Sequence, residues 1–207
     1  MNILCCGAHP DDIEMMAGGV IYNSKKNGSL VIGMVFTDGS WMNPKGVRVR
    51  NSNESIEEIK EVSKFLGYEL IIQNNQALNM TFSDELVVSV LKVIEERKID
   101  LLILPWYKDL HPDHKIVSQI GIAASRKVSK VLFGQINYHL EDFFTPNIFI
   151  DITDSFNEKI KALSMYKSVW KNNSRDWLDF ITSTNTYYGK IVGVGKAEGF
   201  ITKKFLF

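Results

Sequence analysis

Residues 7 to 14 read GAHPDDIE and residues 111 to 114 read HPDH. Each tetrad sets histidine, proline and acid in the same order after an apolar run, NILCC in the first case and DLLILP in the second. Three of the chain's four histidines lie in these two stretches. His9, Asp12 and His114 supply two imidazoles and one carboxylate, a ligand set that suits Zn²⁺ with a fourth position left for water, and hence a catalytic metal rather than a structural one. Asp11, beside the ligand Asp12, is free to take a proton from that water, and His111 can face a substrate from the other side. Singly, each aspartate reads equally as a helix cap and each histidine as a surface or hydrogen-bonded group. The repetition of one pattern is what favours a shared metal site. Two histidines and a carboxylate also make the facial triad of non-haem Fe(II) oxygenases, so Fe²⁺ is admitted beside Zn²⁺. A non-catalytic sugar-nucleotide-binding domain is the third reading.

The elements that must position these groups follow from periodicity. Apolar runs suited to buried parallel strands occur at 3–7, 30–36, 68–72, 101–104 and 131–133, with a further candidate at 148–152. Between them, 54–66 places Ile56, Ile59, Val62 and Phe65 on one helical face, with Ser55 and Glu58 as a capping box and Gly67 as a stop. Ser83 caps a second helix over 83–98, a third follows His114, and a fourth covers about 155–170. Proline in each tetrad suits the first helical position, where its missing N–H costs nothing. This alternation predicts an α/β fold: a doubly wound, mostly parallel sheet flanked by helices, Rossmann-like, in a single domain over 1–207. In such sheets the ligand crevice lies beyond the carboxyl ends of the strands, which gathers the tetrads, Asp38 and the segment 76–79 at one edge.

Bulk properties bound the function. Twenty-four basic and 24 acidic residues give a formal net charge of zero, without the surplus expected of a nucleic-acid binder. No apolar run reaches the roughly 20 residues of a membrane span. The N-terminus has no basic region before its apolar run, and cleaving that run as a signal peptide would remove His9; cytoplasm is the economical location. Cys5 and Cys6 are neighbours on a strand, point to opposite faces, and read as reduced core residues. Gly18-Gly19 reads as close helix packing. His139 reads as structural or surface, Trp106 and Tyr107 as a sugar-stacking platform or as core, and the basic stretch around Arg126 as a solvated helix end or an anion contact. The segment 170–190, rich in Trp, Asn, Thr and Tyr, reads as a substrate lid or a subunit contact, and homo-oligomerisation stays open.

The motifs AHPDDIE and HPDH resemble those of the PIG-L, or LmbE-like, family of metal-dependent de-N-acetylases. TDG after the second strand, the helix ending FLG, and the ending VGVGKAEGFITKK extend the likeness, which in appearance is nearest to bacterial deacetylases of the bacillithiol-biosynthesis type. The resemblance implies that His9, Asp12 and His114 bind zinc, that Asp11 is the general base, that His111 stabilises the tetrahedral intermediate, and that Asp113 buttresses a histidine from behind. It implies a small-molecule substrate of the N-acetylglucosaminyl type, whether sugar, conjugate or sugar nucleotide, cleaved to acetate and a free amine. Many members carry arginine where this chain has Ser55, so Arg48 or Arg50 is the expected substitute. They also carry an acidic residue near Asn79, an arginine near Leu110 in the bacillithiol type, and a tyrosine where Phe180 stands. Asp38, Arg50, Asn79, Trp106, Tyr107 and Arg126 are the expected substrate contacts.

Overall fold

The computed structural model describes residues 1–170 and 177–206. Within them, seven strands form one sheet in the order β5-β2-β1-β6-β7-β9-β8. The strands are β1 (Asn2–Gly7), β2 (Leu30–Thr37), β5 (Glu69–Asn75), β6 (Leu101–Pro105), β7 (Lys130–Gly134), β8 (Ile148–Asp151) and β9 (Ala197–Phe205), while β3 (Trp41–Met42) and β4 (Arg48–Arg50) make a separate ribbon. The five strands β5, β2, β1, β6 and β7 run parallel. β9 inserts antiparallel between β7 and β8, a strand that the polar ends of its sequence do not announce.

Strand side chains alternate between two cores. Ile3 and Cys5 face the layer of α1 (Asp12–Lys26), α2 (Ser52–Leu66), α5 (Phe156–Ser164) and α7 (Trp177–Val192). Leu4 and Cys6 face α3 (Asp84–Arg97) and α4 (Pro112–Ala124). Both cysteines are buried and free. The fourth expected helix is broken into α5 and a short α6 (Lys167–Trp170). Of the segment 170–190, residues 171–176 lie outside the described residues and 177–190 belong to α7. No described helix is long and apolar enough to cross a membrane.

Of the two expected N-terminal caps, one differs from the sequence reading. Ser83 does cap α3 by accepting from Leu86 N at 3.4 Å. The capping box at Ser55 and Glu58 does not form: α2 begins three residues earlier, behind Asn51. Ser55 Oγ is then buried inside the helix without a hydrogen-bond partner, and Glu58 reaches instead to Ser168 N at 2.8 Å.

α1 bends at Ala17, whose φ of −143° is not helical. The amides freed by the bend, Gly19 N and Val20 N, donate to the Glu198 carboxylate at 3.0 and 2.9 Å. The carbonyl of Met15 accepts from Lys159 Nζ at 2.8 Å, and Lys159 also meets Glu198 at 2.6 Å. A carboxylate inserted into the helix ladder is the cause of the kink. Gly19 lets Ile152 pack against the bend, because a Cβ there would lie 2.7 Å from it.

Candidate active site

β1 connects outward to β2, whereas β6 lies on the other side of β1, so the order of connections reverses between β1 and β6. This is the switch point at which a doubly wound sheet opens a crevice. His9 follows β1, and His111 and His114 follow β6, which brings two stretches a hundred residues apart to one spot.

The two tetrads share letters but not geometry. Pro112 occupies the first turn of α4, and His111 is its N-cap, with Nδ1 accepting from Asp113 N at 3.2 Å. Pro10 lies before α1, whose N-cap is Asp11. Asp11 has φ 119°, a region that a non-glycine residue enters only under strain, and such strain collects at functional sites. The expectation of proline at the first helical position therefore holds for the second tetrad alone.

His9 Nδ1, Asp12 Oδ2 and His114 Nε2 form an equal-sided triangle with edges of 3.3 Å. A tetrahedral ion with ligand bonds of about 2.0–2.1 Å needs ligand separations of about 3.3–3.4 Å, so these donors fit such an ion. The far nitrogen of each imidazole is held by a carboxylate: His9 Nε2 by Asp113 Oδ2 at 3.0 Å, and His114 Nδ1 by Asp109 Oδ2 at 2.8 Å. Those bonds turn the near nitrogens toward the triangle, as carboxylates behind ligating histidines do. His9, His111 and His114 form a looser grouping, with one nitrogen of each within 4.8 Å of the others. In that grouping Nδ1 of His111 already caps α4, so the Asp12 triangle is the better cradle.

Electrostatics agree with a cation there. Burial alone would lower the His9 and His114 imidazoles, but the Asp12 charge and the hydrogen bonds to Asp113 and Asp109 carry them up to about 9 and about 10. Burial would likewise raise Asp12, yet His114 and His9 hold it well below the usual carboxylate range. The pocket thus holds positive charge against desolvation. Asp11 behaves differently: burial pushes it up to about 6, with Arg50 opposing and Asp12 assisting. His111 is driven down to about 4 by burial and by its two imidazole neighbours. It is a neutral ring at pH 7, and its capping bond leaves the proton on Nε2.

The triangle opens into a cavity of about 430 Å³ lined by Asp11, His111, Trp41, Asn137 and Trp177 among others. The expected substrate contacts divide. Arg50 lines this cavity. Asp38 lines an adjoining cleft of about 390 Å³, with its carboxylate accepting from Ser40 and Ala77 N. Asn79 is exposed and bonded to Gln76. Trp106 is only 4% exposed and packs with Phe133 and Phe144, which makes it core, and Tyr107 packs beside it. Arg126 sits in the 3-10 turn after α4, at the opposite edge of the sheet from the tetrads. His139 joins the cavity wall, which its sequence neighbours did not signal.

Asp109 was missed. It is fully buried, and besides His114 it holds Asn137 Nδ2 at 2.9 and 3.1 Å and His111 N at 2.8 Å. The available signal was an acid five positions before His114 in KDLHPDH. Arg50 was found with a different role. Its Nε donates to Ser168 Oγ at 3.0 Å, Nη2 to Pro10 O at 3.0 Å, and Nη1 to Asp11 Oδ2 at 3.5 Å. Its guanidinium is spent on the strained turn of Asp11. Gly39, at φ 63°, leaves room for it, since a Cβ there would meet Pro10 at 2.7 Å and Arg50 Nη1 at 3.3 Å. Arg50→Met is expected to lower kcat by up to roughly 10²-fold through displacement of Asp11, with KM little changed. Steady-state kinetics decide: a rise in KM alone would make Arg50 a substrate grip.

A diacetylchitobiose deacetylase of Thermococcus kodakarensis is 26% identical over 96% of this chain and 81% of its own. An uncharacterized deacetylase of Escherichia coli, YaiS, is 30% identical over 81% of this chain and 91% of its own. Among solved structures, the N,N'-diacetylchitobiose deacetylase from Pyrococcus horikoshii superposes with a TM-score of 0.82 at 22% identity, covering 98% of this chain and 84% of that one. The PIG-L profile, GlcNAc-PI de-N-acetylase, matches residues 4–125, the stretch that holds both tetrads, and the chain belongs to that family.

Proposed function

We propose that this protein is a zinc hydrolase that removes the N-acetyl group from an N-acetylglucosaminyl-type sugar or conjugate, releasing acetate and a free amine. The 3.3 Å triangle of His9, Asp12 and His114, with a second carboxylate on Asp11 beside it, carries the reading. Bound zinc supplies Lewis acidity, acidifying water and polarising a carbonyl. Asp11, raised toward neutrality by burial, accepts the proton of the attacking water and returns it to the amine nitrogen as the C–N bond breaks. His111, neutral, donates Nε2–H to the carbonyl oxygen as negative charge grows on it. Asp113 and Asp109 keep the two ligating imidazoles in register. The membership in the PIG-L family and the deacetylase relatives support this reading over an oxygenase or a non-catalytic domain.

The purified protein is expected to release acetate from N-acetylated glucosamine saccharides such as N,N'-diacetylchitobiose. A chelator should abolish the activity and added Zn²⁺ should restore it. Acetate release that survives complete metal removal, or none from any such sugar with metal present, would sink the proposal.

A further inference from the structure

Beyond the triangle, the cavity walls are mostly apolar: Met15, Trp41, Leu78, Ile136, Val169 and Trp177. The polar side chains among them are largely committed. Ser40 Oγ is bonded to Asp38, Asn137 to Asp109, and Arg50 to Ser168, Pro10 and Asp11. A wall that grips sugar hydroxyls needs polar groups left over for them. Leu78 adds a second observation. Its φ is 66°, a conformation that glycine or asparagine would adopt at less cost, and its side chain is 63% exposed. The turn itself has a purpose, since Leu78 N donates to Asp113 Oδ2 at 2.8 Å behind His9. That bond needs only a backbone amide. It does not account for an exposed leucine lining the same cavity as Trp41, itself 39% exposed.

We infer that the substrate carries an apolar group, aryl or alkyl, attached to the sugar beyond the acetamide, and that this group lies across Trp41 and Leu78 at the cavity mouth. The inference rests on the deacetylation reading and extends it to a class of conjugate. Neither Arg126, at the far edge of the sheet, nor Arg50, already engaged with Asp11, Pro10 and Ser168, offers an anion grip inside this cavity.

The test compares kcat/KM for N-acetylglucosamine, its 1-phosphate, and its phenyl and octyl glycosides. The two apolar glycosides are expected to exceed the free sugar at least tenfold, and the phosphate to show no gain. Leu78→Gly relieves the backbone strain while deleting the side chain, so it folds readily; in it, and in Trp41→Ser, the ratio of octyl glycoside to free sugar should collapse several-fold. Equal rates across the series, a larger gain for the phosphate, or a ratio unchanged in both variants would overturn the inference while leaving deacetylation standing. A binding arm separates the two readings. Calorimetric titration of Asp11→Asn protein should give at least tenfold tighter binding of the octyl glycoside than of the free sugar, and equal affinities would overturn the inference whether or not acetate is ever released.

Discussion

Asp12→Ala is expected to strip the purified protein of most of its metal, whereas Asp11→Asn is expected to keep the metal and lose turnover by roughly 10²–10⁴-fold. The two carboxylates are adjacent, yet their surroundings divide the work. Asp12 Oδ2 stands 3.3 Å from one nitrogen each of His9 and His114, and it also accepts His9 N at 2.8 Å, so under the proposed zinc site its loss removes a ligand and loosens another. Asp11 makes no such contact; it faces Arg50, and burial outweighs that cation in raising its proton affinity. Asparagine tolerates positive φ better than most residues, so the Asp11 variant keeps the strained turn at 119°. Elemental analysis of both purified variants, run beside acetate release, checks the pair. A metal content that fell equally in both would show that the division of roles is wrong.

His111 invites a sharper pair of variants, because it has two duties. Its Nδ1 caps α4, and its Nε2 is left for the substrate. His111→Ala should lose both, costing about 0.5–2 kcal/mol of stability with the cap and lowering kcat by roughly 10²–10³-fold, the usual effect of deleting one donor to a developing oxyanion. His111→Asn separates them: asparagine is a strong N-cap, so thermal stability should return while kcat stays low. Recovery of kcat in the asparagine variant would mean that the histidine only starts the helix.

The sheet strands were legible because parallel strands buried on both faces are written as short apolar runs, as in 3–7 and 101–104. β9 was not, because its outer half, Thr202 to Phe205, is half-exposed and carries two lysines, and antiparallel insertion between β7 and β8 is a tertiary choice that leaves little local mark. The tetrads revealed the histidines and carboxylates that meet, since unlike a core they consist of rare residues in a repeated order. Trp106 misled for the complementary reason. An aromatic beside a polar motif is written the same way whether its ring faces a ligand or Phe133. Asp109 escaped because an isolated aspartate in a loop has many uses; only the distance to His114 Nδ1 shows which one it serves. Arg50 was expected at the substrate as a stand-in, with Arg48, for the family arginine that Ser55 replaces, whereas the direction of a guanidinium is fixed by the fold of β4 against Pro10 and Asp11.

The bent helix α1 has a bearing on how the protein comes into being during synthesis. Every group of the two tetrads has been translated by residue 114, but the bend at Ala17 is completed by Lys159 of α5 and by Glu198, which lies 179 positions after Gly19. In the folded protein the bend is satisfied only with those side chains in place, since Met15 O, Gly19 N or Val20 N left unpaired in the interior would cost about 1–3 kcal/mol each. The residues of both tetrads therefore precede in sequence the contacts that fix the bend in α1. Contacts this distant in sequence slow folding, since loop closure is paid before the contact rewards it. A fragment ending at residue 125 would hold both tetrads and lack the Lys159 and Glu198 side chains that complete the bend beside them.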